Sequence, residues 1–281
     1  MYTATPPTPA APGTAAPPVV LPLARIEPAI FGPGGPFGGD DRIYFTDLLT
    51  SYGLPAPAPE QFDRPRNSFT EMVEALVARL GPAARSLELA VFCGVTPDVQ
   101  PGFPGGRLAD LVPGLSLAFA LFDQGLAGPY TALDVLARTV PADTTRHAAL
   151  FVLDQSTLLH SEPVPGRLRV DRDGAVAVVL GGDGELGTIR PLGTVAVPAG
   201  EQAARLAAIE RELAVDVVVA GRGLAAHRVE GSPAAVPGLP ATGTWLTLAA
   251  HATAWRGRRV LLADYDADQQ RLGACTVELA P

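Results

Sequence analysis

Four short apolar runs in the middle of the chain constrain its fold most strongly. They are SLELAVFCGV (86–95), LSLAFALF (115–122), HAALFVLDQ (147–155) and GAVAVVLGG (174–182), and each is bounded by turn-forming residues. Runs that are apolar at nearly every position are typical of strands in a sheet that is covered on both faces. The sequence therefore predicts a buried sheet between layers of helices.

Segments with helical periodicity alternate with these runs. The first, FTEMVEALVARL, begins after Ser68, and Ser68 and Glu71 have the spacing of a capping box. Further helices are predicted at 130–140, 201–214 and 244–256, and the strands VDVVVAG and RRVLLADYD follow the last two. A strand pair, RVLLADYD with GACTVEL, closes the chain. This order predicts an α/β fold built from two successive sets of elements.

Composition excludes several classes of function. All 21 basic residues are arginine, so no lysine is present for Schiff-base or pyridoxal-phosphate chemistry. The formal net charge of −8 argues against binding to nucleic acid or to an anionic membrane surface. The loop FGPGGPFGG lacks the strand–glycine–helix order and the Lys-Ser or Lys-Thr of a phosphate-binding loop. We expect no bound cofactor.

The first 18 residues contain six prolines and no charged side chain. Such a segment buries too little apolar surface to offset the entropy of ordering, so a mobile tail is predicted. The absence of a signal peptide or a long apolar span leads us to expect a cytoplasmic location. In that reducing compartment Cys93 and Cys275, each inside an apolar run, are predicted to be buried free thiols.

The four histidines do not have the spacing of a metal site, and none is accompanied by a cysteine. No metal is therefore predicted. His160, which follows a strand end, is the best acid–base candidate among them, and His227 is the second. The alternative is that both are surface or hydrogen-bonded side chains without a chemical role.

The stretch AFALFDQGLAGPYTAL predicts a strand that turns sharply into a helix. Enzymes use this elbow to hold a nucleophile at a helix N-terminus. Here the turn follows Asp123 and presents Gln124 or Gly125, and neither of these two is a nucleophile. The turn is a candidate site without its expected reactive atom.

A second Asp-Gln pair, Asp154 with Gln155, ends the apolar run at 147–155. Both pairs are expected at the carboxyl edge of one sheet, where α/β proteins place ligands. Asp123 or Asp154 could there act as a general base on a water molecule, for thioester or ester hydrolysis. In the alternative interpretation each aspartate caps the following turn and each glutamine faces solvent.

Six segments resemble, in order, the thiolase-like superfamily and most closely its ketosynthase III branch, over about residues 70–281. They are Thr96-Pro97-Asp98, the elbow strand with its Ala-Gly-containing helix, HAALFVLDQS, RDGAVAVVL, VDVVVAGRGLA and TGTWLTLAAHATAWRGRRVLLADYD. The last stands where the family has an Asn-Thr helix start, a Gly-Arg turn and a glycine-rich strand. The resemblance implies the layered αβαβα fold of two similar halves, with the second half trimmed. After the tail at 1–18, the N-terminal half would comprise residues 19–185 and the C-terminal half residues 186–281.

The resemblance also shows which catalytic residues this chain lacks. In the family the elbow holds a cysteine whose pKa is lowered by the helix N-terminus. That position becomes Leu126 in one alignment, and Gly125 or Gln124 in another. The histidine and asparagine of the family's His-x-x-Asn motif become Gly221 and Leu224.

The later asparagine of the Asn-Thr pair becomes Gly243. The resemblance therefore implies a protein without condensing activity. It would be like the chain-length factors and other partner subunits, some of which carry glutamine in place of the cysteine.

Three functions follow from these expectations. The first is a partner or acyl-binding subunit of polyketide, fatty-acid or related secondary metabolism, a homodimer or a heterodimer with an active ketosynthase. Acyl groups would arrive on acyl carrier protein or coenzyme A, and the arginines Arg256, Arg258 and Arg259 are candidates for docking the acidic carrier.

The second function is a thioester hydrolase, decarboxylase or acyltransferase that uses Asp123, Gln124 or His160. Gly125 completes the candidate catalytic set. The candidate substrate-binding residues are Leu126, Asp154, Gln155 and His227. The third function is a purely structural interaction module.

Overall fold

One mixed sheet of nine strands organises the chain. The computed structural model describes residues 19–139, 147–159, 164–227 and 232–281. The strands are β1 (Leu21–Ile30), β2 (Leu87–Gly94), β3 (Leu117–Leu121), β4 (His147–Asp154), β5 (Gly174–Leu180), β6 (Gly187–Ala196), β7 (Val217–Ala220), β8 (Arg259–Asp266) and β9 (Arg271–Leu279). Their order across the sheet is β3-β2-β4-β5-β1-β6-β9-β8-β7. The predicted tail and His160 lie outside the described residues.

Seven α-helices accompany the sheet within the described part of the chain. They are α1 (Gly39–Ser51), α2 (Pro59–Phe62), α3 (Phe69–Leu80), α4 (Pro104–Leu111), α5 (Gly128–Thr139), α6 (Gln202–Leu213) and α7 (Gly243–His251). The predicted capping box is present, because Ser68 Oγ accepts from Glu71 N while a Glu71 carboxylate oxygen accepts from Ser68 N. None of these helices is long and apolar enough to cross a bilayer.

The sheet consists of two similar sets of strands. In the first set β3, β2 and β4 are parallel, and β5 and β1 continue the sheet antiparallel. In the second set β7 and β8 are parallel, and β9 and β6 follow antiparallel. Among the described residues, nothing in the second set corresponds to β3. The two sets join where β1 pairs with β6 over three residues beginning at Leu21.

Three apolar cores define the layers. The middle core lies between the two sets, where Tyr130 and Leu133 of α5 and Trp245 of α7 pack against strands of both. The outer face of the first set is covered by α3, and that of the second set by α6. This gives the αβαβα arrangement, so the expected fold of two similar halves with a trimmed second half is confirmed.

The two cysteines are free and buried, as predicted. Cys93 of β2 and Cys275 of β9 are both 0% exposed. Burial raises the pKa of each thiol well above its ordinary value. Neither is therefore a thiolate at neutral pH, and neither can act as a ready nucleophile.

Candidate functional site

The predicted elbow is present between β3 and α5. The chain leaves β3, passes through Asp123 with a φ of 61°, and enters a single 3-10 turn, Gly125–Ala127, that leads into α5. Gly125 itself has a φ of 52°. An L-residue with a side chain is strained in this left-handed region, whereas glycine is not.

A carboxylate from the second half occupies the space beside Gly125. A Cβ atom built on Gly125 would overlap Asp266 Oδ2 and lie 2.7 Å from Asp266 Cγ. Asp266, at the end of β8, is only 1% exposed. Its Oδ2 accepts a hydrogen bond from Leu126 N at 3.1 Å. The direction in which an elbow side chain would extend is therefore filled by Asp266.

Backbone donors hold the Asp266 carboxylate in place. Its Oδ1 accepts from the N–H groups of Asp268 and Gln269, both at 3.0 Å. The Gln269 side chain donates to Asp123 O at 3.1 Å, which joins the β8–β9 turn to the elbow. Because each carboxylate oxygen has a fixed donor, moving the group away from Gly125 would break these hydrogen bonds.

The carboxylate of Asp264 lies against Gly221, at the end of β7, as that of Asp266 lies against Gly125. A Cβ atom on Gly221 would overlap the Asp264 carboxylate and lie 2.8 Å from Asp264 Cβ. Asp264 Oδ1 accepts from Gly223 N and from Tyr265 N at 2.8 Å, and Oδ2 accepts from Arg222 N at 3.2 Å. Two aspartates of one strand thus fill two positions where the chain has glycine.

Burial raises the pKa of Asp264 to about 7. The three backbone N–H groups lower it and the neighbouring charge of Asp266 raises it further, but loss of hydration is the largest influence. The Asp264 carboxyl therefore titrates near neutral pH.

Asp154 and Gln155 connect loops rather than line an opening together. Asp154 is 0% exposed and accepts hydrogen bonds from Ala241 N, Thr242 N and Thr242 Oγ1. These contacts tie the end of β4 to the start of α7. Burial raises the pKa of Asp154 to about 6, against the lowering effect of these donors and of the Arg222 charge.

Gln155 is 1% exposed and bridges three loop segments. Its Oε1 accepts from Val99 N at 3.0 Å, and its Nε2 donates to Asn67 O at 2.6 Å and to Asp98 Oδ1 at 3.2 Å. Asp98 in turn accepts from Phe69 N at the first residue of α3. Burial raises the pKa of Asp98. All donors and acceptors of the Gln155 amide thus contribute to holding the loops together.

The other predicted site residues are dispersed. Asp123 is exposed and Gln124 half-buried at the elbow, while Leu126 is 1% exposed and packs in the middle core. His227 Nε2 lies 3.3 Å from Gln202 Nε2, near the start of α6.

The three arginines after α7 differ in their contacts. Arg256 and Arg258 are exposed, and Arg256 donates to Pro281 O at 3.3 Å. Arg259 is half-buried and forms an ion pair with Glu278.

A cleft of about 360 Å³ opens next to Gly221. Its lining consists of residues 220–222, Ala225, residues 234–240, Asp171 and Thr244 of α7. Most of the lining is alanine, valine, leucine, proline and glycine, with Arg222 and Asp171 as its charged members. A cleft of this size and polarity suits a small, largely apolar ligand.

At two positions that the resemblance aligned with catalytic asparagines, the surrounding residues also leave no space for such a side chain to reach a site. Leu224 is 0% exposed in the core beneath α6. A Cβ atom on Gly243 would lie 2.7 Å from Val236 O. Among the described residues, no three His, Cys, Asp or Glu side chains cluster as metal ligands would.

Sequence reasoning did not identify Asp264 and Asp266 as part of the site. The signal was present, because LLADYD places two acids at alternate positions of a strand that is otherwise apolar. Alternate residues point to the same face of a strand. Two acids on one buried face require partners, and the partners here are backbone N–H groups beside two glycines.

No protein-family model and no curated protein matches this chain. Solved structures match its fold over nearly the whole length. An acyltransferase, ChlB3, matches with a TM-score of 0.60 and 17% identity, over 93% of this chain and 98% of that one. AbyA1, a tetronic acid condensing enzyme, matches with a TM-score of 0.62 and 16% identity, over 92% of this chain and 99% of that one.

The 3-oxoacyl-(acyl carrier protein) synthase III of Pseudomonas aeruginosa PAO1 is similar in the same way. Its TM-score is 0.56 at 16% identity, over 94% of this chain and 99% of that one. The fold is therefore the thiolase-like fold of ketosynthase III-type proteins.

Proposed function

We propose that this chain is a ketosynthase-like protein of polyketide- or fatty-acid-type secondary metabolism that lacks condensing activity. In this proposal it serves as a partner subunit, like a chain-length factor, or as an acyl-binding subunit. The observation that carries the proposal is the Asp266 carboxylate seated at Gly125.

Condensation through an acyl-enzyme needs a nucleophile at the elbow. Gly125 has no side chain, and Asp266 fills the space that one would need. The carboxylate also accepts from Leu126 N at the entry to α5, where a free N–H would otherwise stabilise a thiolate or an oxyanion. An anion already held there opposes the development of a second one.

The arrangement at Gly221 supports the same proposal. The resemblance aligns Gly221 with a catalytic histidine, and Asp264 occupies the corresponding space. The acids come from the strand that the resemblance aligns with a glycine-rich strand. The side chains of Asp264 and Asp266 on β8 thus occupy the space beside the two facing glycines, Gly221 and Gly125.

The cleft beside Gly221 is the proposed place for an acyl group. Its lining is mainly apolar and includes Thr244, and its volume is about 360 Å³. The similar folds include an acyltransferase and condensing enzymes, which favours acyl groups over other apolar ligands. The acyl group would be presented by acyl carrier protein or coenzyme A, with Arg256 and Arg258 as the exposed docking arginines.

The edge of β3 is the proposed subunit interface. The strand is at one end of the sheet, and Leu117 is 48% exposed. Phe103 and Leu111, on the adjacent α4 segment, are 42% and 37% exposed. An apolar edge of this kind suits pairing with another strand. The partner is a second copy or an active ketosynthase.

One observation favours an alternative, stand-alone enzyme. Asp264 has a pKa of about 7 and lies directly behind Gly221, which lines the cleft. A carboxyl group with a pKa near neutral suits a general base. In this alternative Asp264 activates water for thioester hydrolysis, in addition to the elbow residues Asp123 and Gln124.

Purified protein incubated with acyl and malonyl thioesters, alone and with a co-encoded ketosynthase, distinguishes the two functions. The proposal expects no turnover by the isolated chain, and an effect on product amount or chain length when the ketosynthase is present. Turnover alone that is lost in Asp264→Asn or Asp123→Ala, but kept in the matched surface control Asp183→Asn, would establish the enzyme instead.

A further inference from the structure

Arg190 is an arginine without a partner on the outer face of the second half. It lies on β6, on the face covered by α6 and opposite to the middle layer that contains the elbow. The side chain is partly buried, and its Nε is fully buried without a hydrogen-bond partner. Within the described residues, no carboxylate is close enough to form an ion pair with its guanidinium.

Two acids line the clefts beside Arg190, and neither forms an ion pair with it: Glu212 is in one lining and Glu278 in the other. In the register of the sheet, Arg190 is opposite Thr276, and Thr188 is opposite Glu278. Glu278 forms an ion pair with Arg259 at 2.6 Å, and Arg259 also donates to Leu213 O. The charge of Arg190 is therefore uncompensated, and an unpaired, partly buried cation costs free energy.

Two clefts meet at this guanidinium. The first, of about 170 Å³, presents Thr188, Thr276 and the paired Arg259 beside the apolar Val20 and Leu213. The second, of about 130 Å³, is lined mostly by apolar residues, among them Leu192, Val195, Ile209, Leu213 and Leu272, and it also presents the charged side chains of Arg205 and Glu212. Arg190 thus lines both clefts, with threonine hydroxyls in the first and most of the apolar side chains in the second.

We propose that Arg190 binds the carboxylate of a short-chain acyl acid, with its alkyl chain in the apolar cleft. The planar guanidinium can donate two parallel hydrogen bonds to a carboxylate. The Thr188 and Thr276 hydroxyls can donate to the same oxygens. The two clefts together present Arg190, Arg205 and Arg259 against Glu212 and Glu278, so the site offers one net positive charge and favours a monoanion over phosphate. The clefts beside Arg190 share no lining residue with the proposed acyl cleft, so the two proposals stand independently.

Isothermal titration with hexanoate tests the site, with hexan-1-ol, acetate and inorganic phosphate as comparison probes. Hexanoate is expected to bind saturably and more tightly than all three, because only hexanoate supplies both the charge and the chain. Arg190→Gln should weaken hexanoate binding at least tenfold, while the exposed control Arg85→Gln leaves it unchanged.

A second variant keeps Arg190 and supplies an internal anion. Thr188→Glu places a carboxylate two residues along the same strand face, and it should also weaken hexanoate binding at least tenfold. The absence of saturable hexanoate binding would mean that Arg190 is only hydrated. Unchanged affinity in Arg190→Gln, or tighter binding of phosphate than of hexanoate, would also overturn the proposal.

Discussion

Gly125→Ala is the substitution that most directly probes the packing of Asp266 against the elbow. A Cβ atom at this position would overlap Asp266 Oδ2 and lie 2.7 Å from its Cγ. Real Cβ atoms do not approach other heavy atoms so closely, so the carboxylate must move. Moving it breaks hydrogen bonds from the N–H groups of Leu126, Asp268 and Gln269.

Two costs add in this variant. A side chain at a φ of 52° costs about 1 kcal/mol relative to glycine. Overpacking a well-packed interior costs about 1–3 kcal/mol more. Gly125→Ala is therefore expected to lower the free energy of unfolding by about 2–4 kcal/mol. Urea denaturation followed by circular dichroism measures this loss.

Two further variants separate the steric cost of the new Cβ atom from the backbone cost of the positive φ. Asp266→Ala leaves only the Cβ of residue 266 near the new side chain, at 3.6 Å, which is ordinary van der Waals contact. Gly257→Ala is the matched control, because Gly257 has a φ of 72° but nothing within 4 Å of its built Cβ. That control should show the backbone cost of about 1 kcal/mol alone.

The double variant Gly125→Ala/Asp266→Ala should then be more stable than the sum of the single effects predicts, by about 1–3 kcal/mol. If the two substitutions are additive to within about 0.5 kcal/mol, the carboxylate does not occupy the elbow and the reasoning is refuted.

Three other predictions concern the remaining features. Because the pKa of Asp264 is raised from 3.8 to about 7, its contribution to stability is present below about pH 4 and is lost as the pH rises to 7. Asp264→Asn should therefore flatten this part of a plot of unfolding free energy against pH. An unchanged slope in the variant would contradict the raised pKa. Asp154→Ala should lower the free energy of unfolding, measured by urea denaturation, by about 3 kcal/mol, because it leaves buried backbone N–H groups unpaired at the start of α7. The control Asp171→Ala, at an exposed aspartate, should change that free energy by less than about 0.5 kcal/mol. Equal losses in the two variants would show that Asp154 has no special role. Leu117→Arg should convert a dimer to a monomer in size-exclusion chromatography with light scattering, while Leu54→Arg on an exposed loop should not, and a dimer that survives the first change would exclude the β3 edge.

Local sequence signals predicted much of the fold. The capping box at Ser68 marks the start of α3, and four apolar runs became β2, β3, β4 and β5. These elements are specified by residues close together in the chain, so periodicity and turn residues identify them. The helix predicted at 244–256 ends earlier, at His251.

Other elements carried weak signals. The strand β6, with the sequence GTIRPLGTVA, contains an arginine, a proline and two glycines, and it is half-exposed, so no continuous apolar run marks it. The helix α1 has no buried residue and therefore no apolar stripe. Both elements depend on tertiary position rather than on local pattern.

The candidate site was only half predictable. The elbow at Gly125 follows from a strand, a turn and a helix that are adjacent in the chain. The contact between Leu126 and Asp266 joins residues 140 positions apart, and no local pattern indicates it. Gln155 likewise resembled a site residue by its place at a strand end, whereas its hydrogen bonds to two distant loop segments, at Asn67 and at Asp98–Val99, depend on the folded topology.

Intact-protein mass spectrometry after incubation with acyl and malonyl thioesters tests the central claim most directly. An unmodified mass is expected, because Gly125 carries no side chain and Cys93 and Cys275 are buried as protonated thiols. A stoichiometric acyl adduct that peptide mapping places on either cysteine, or within the elbow segment, would contradict it.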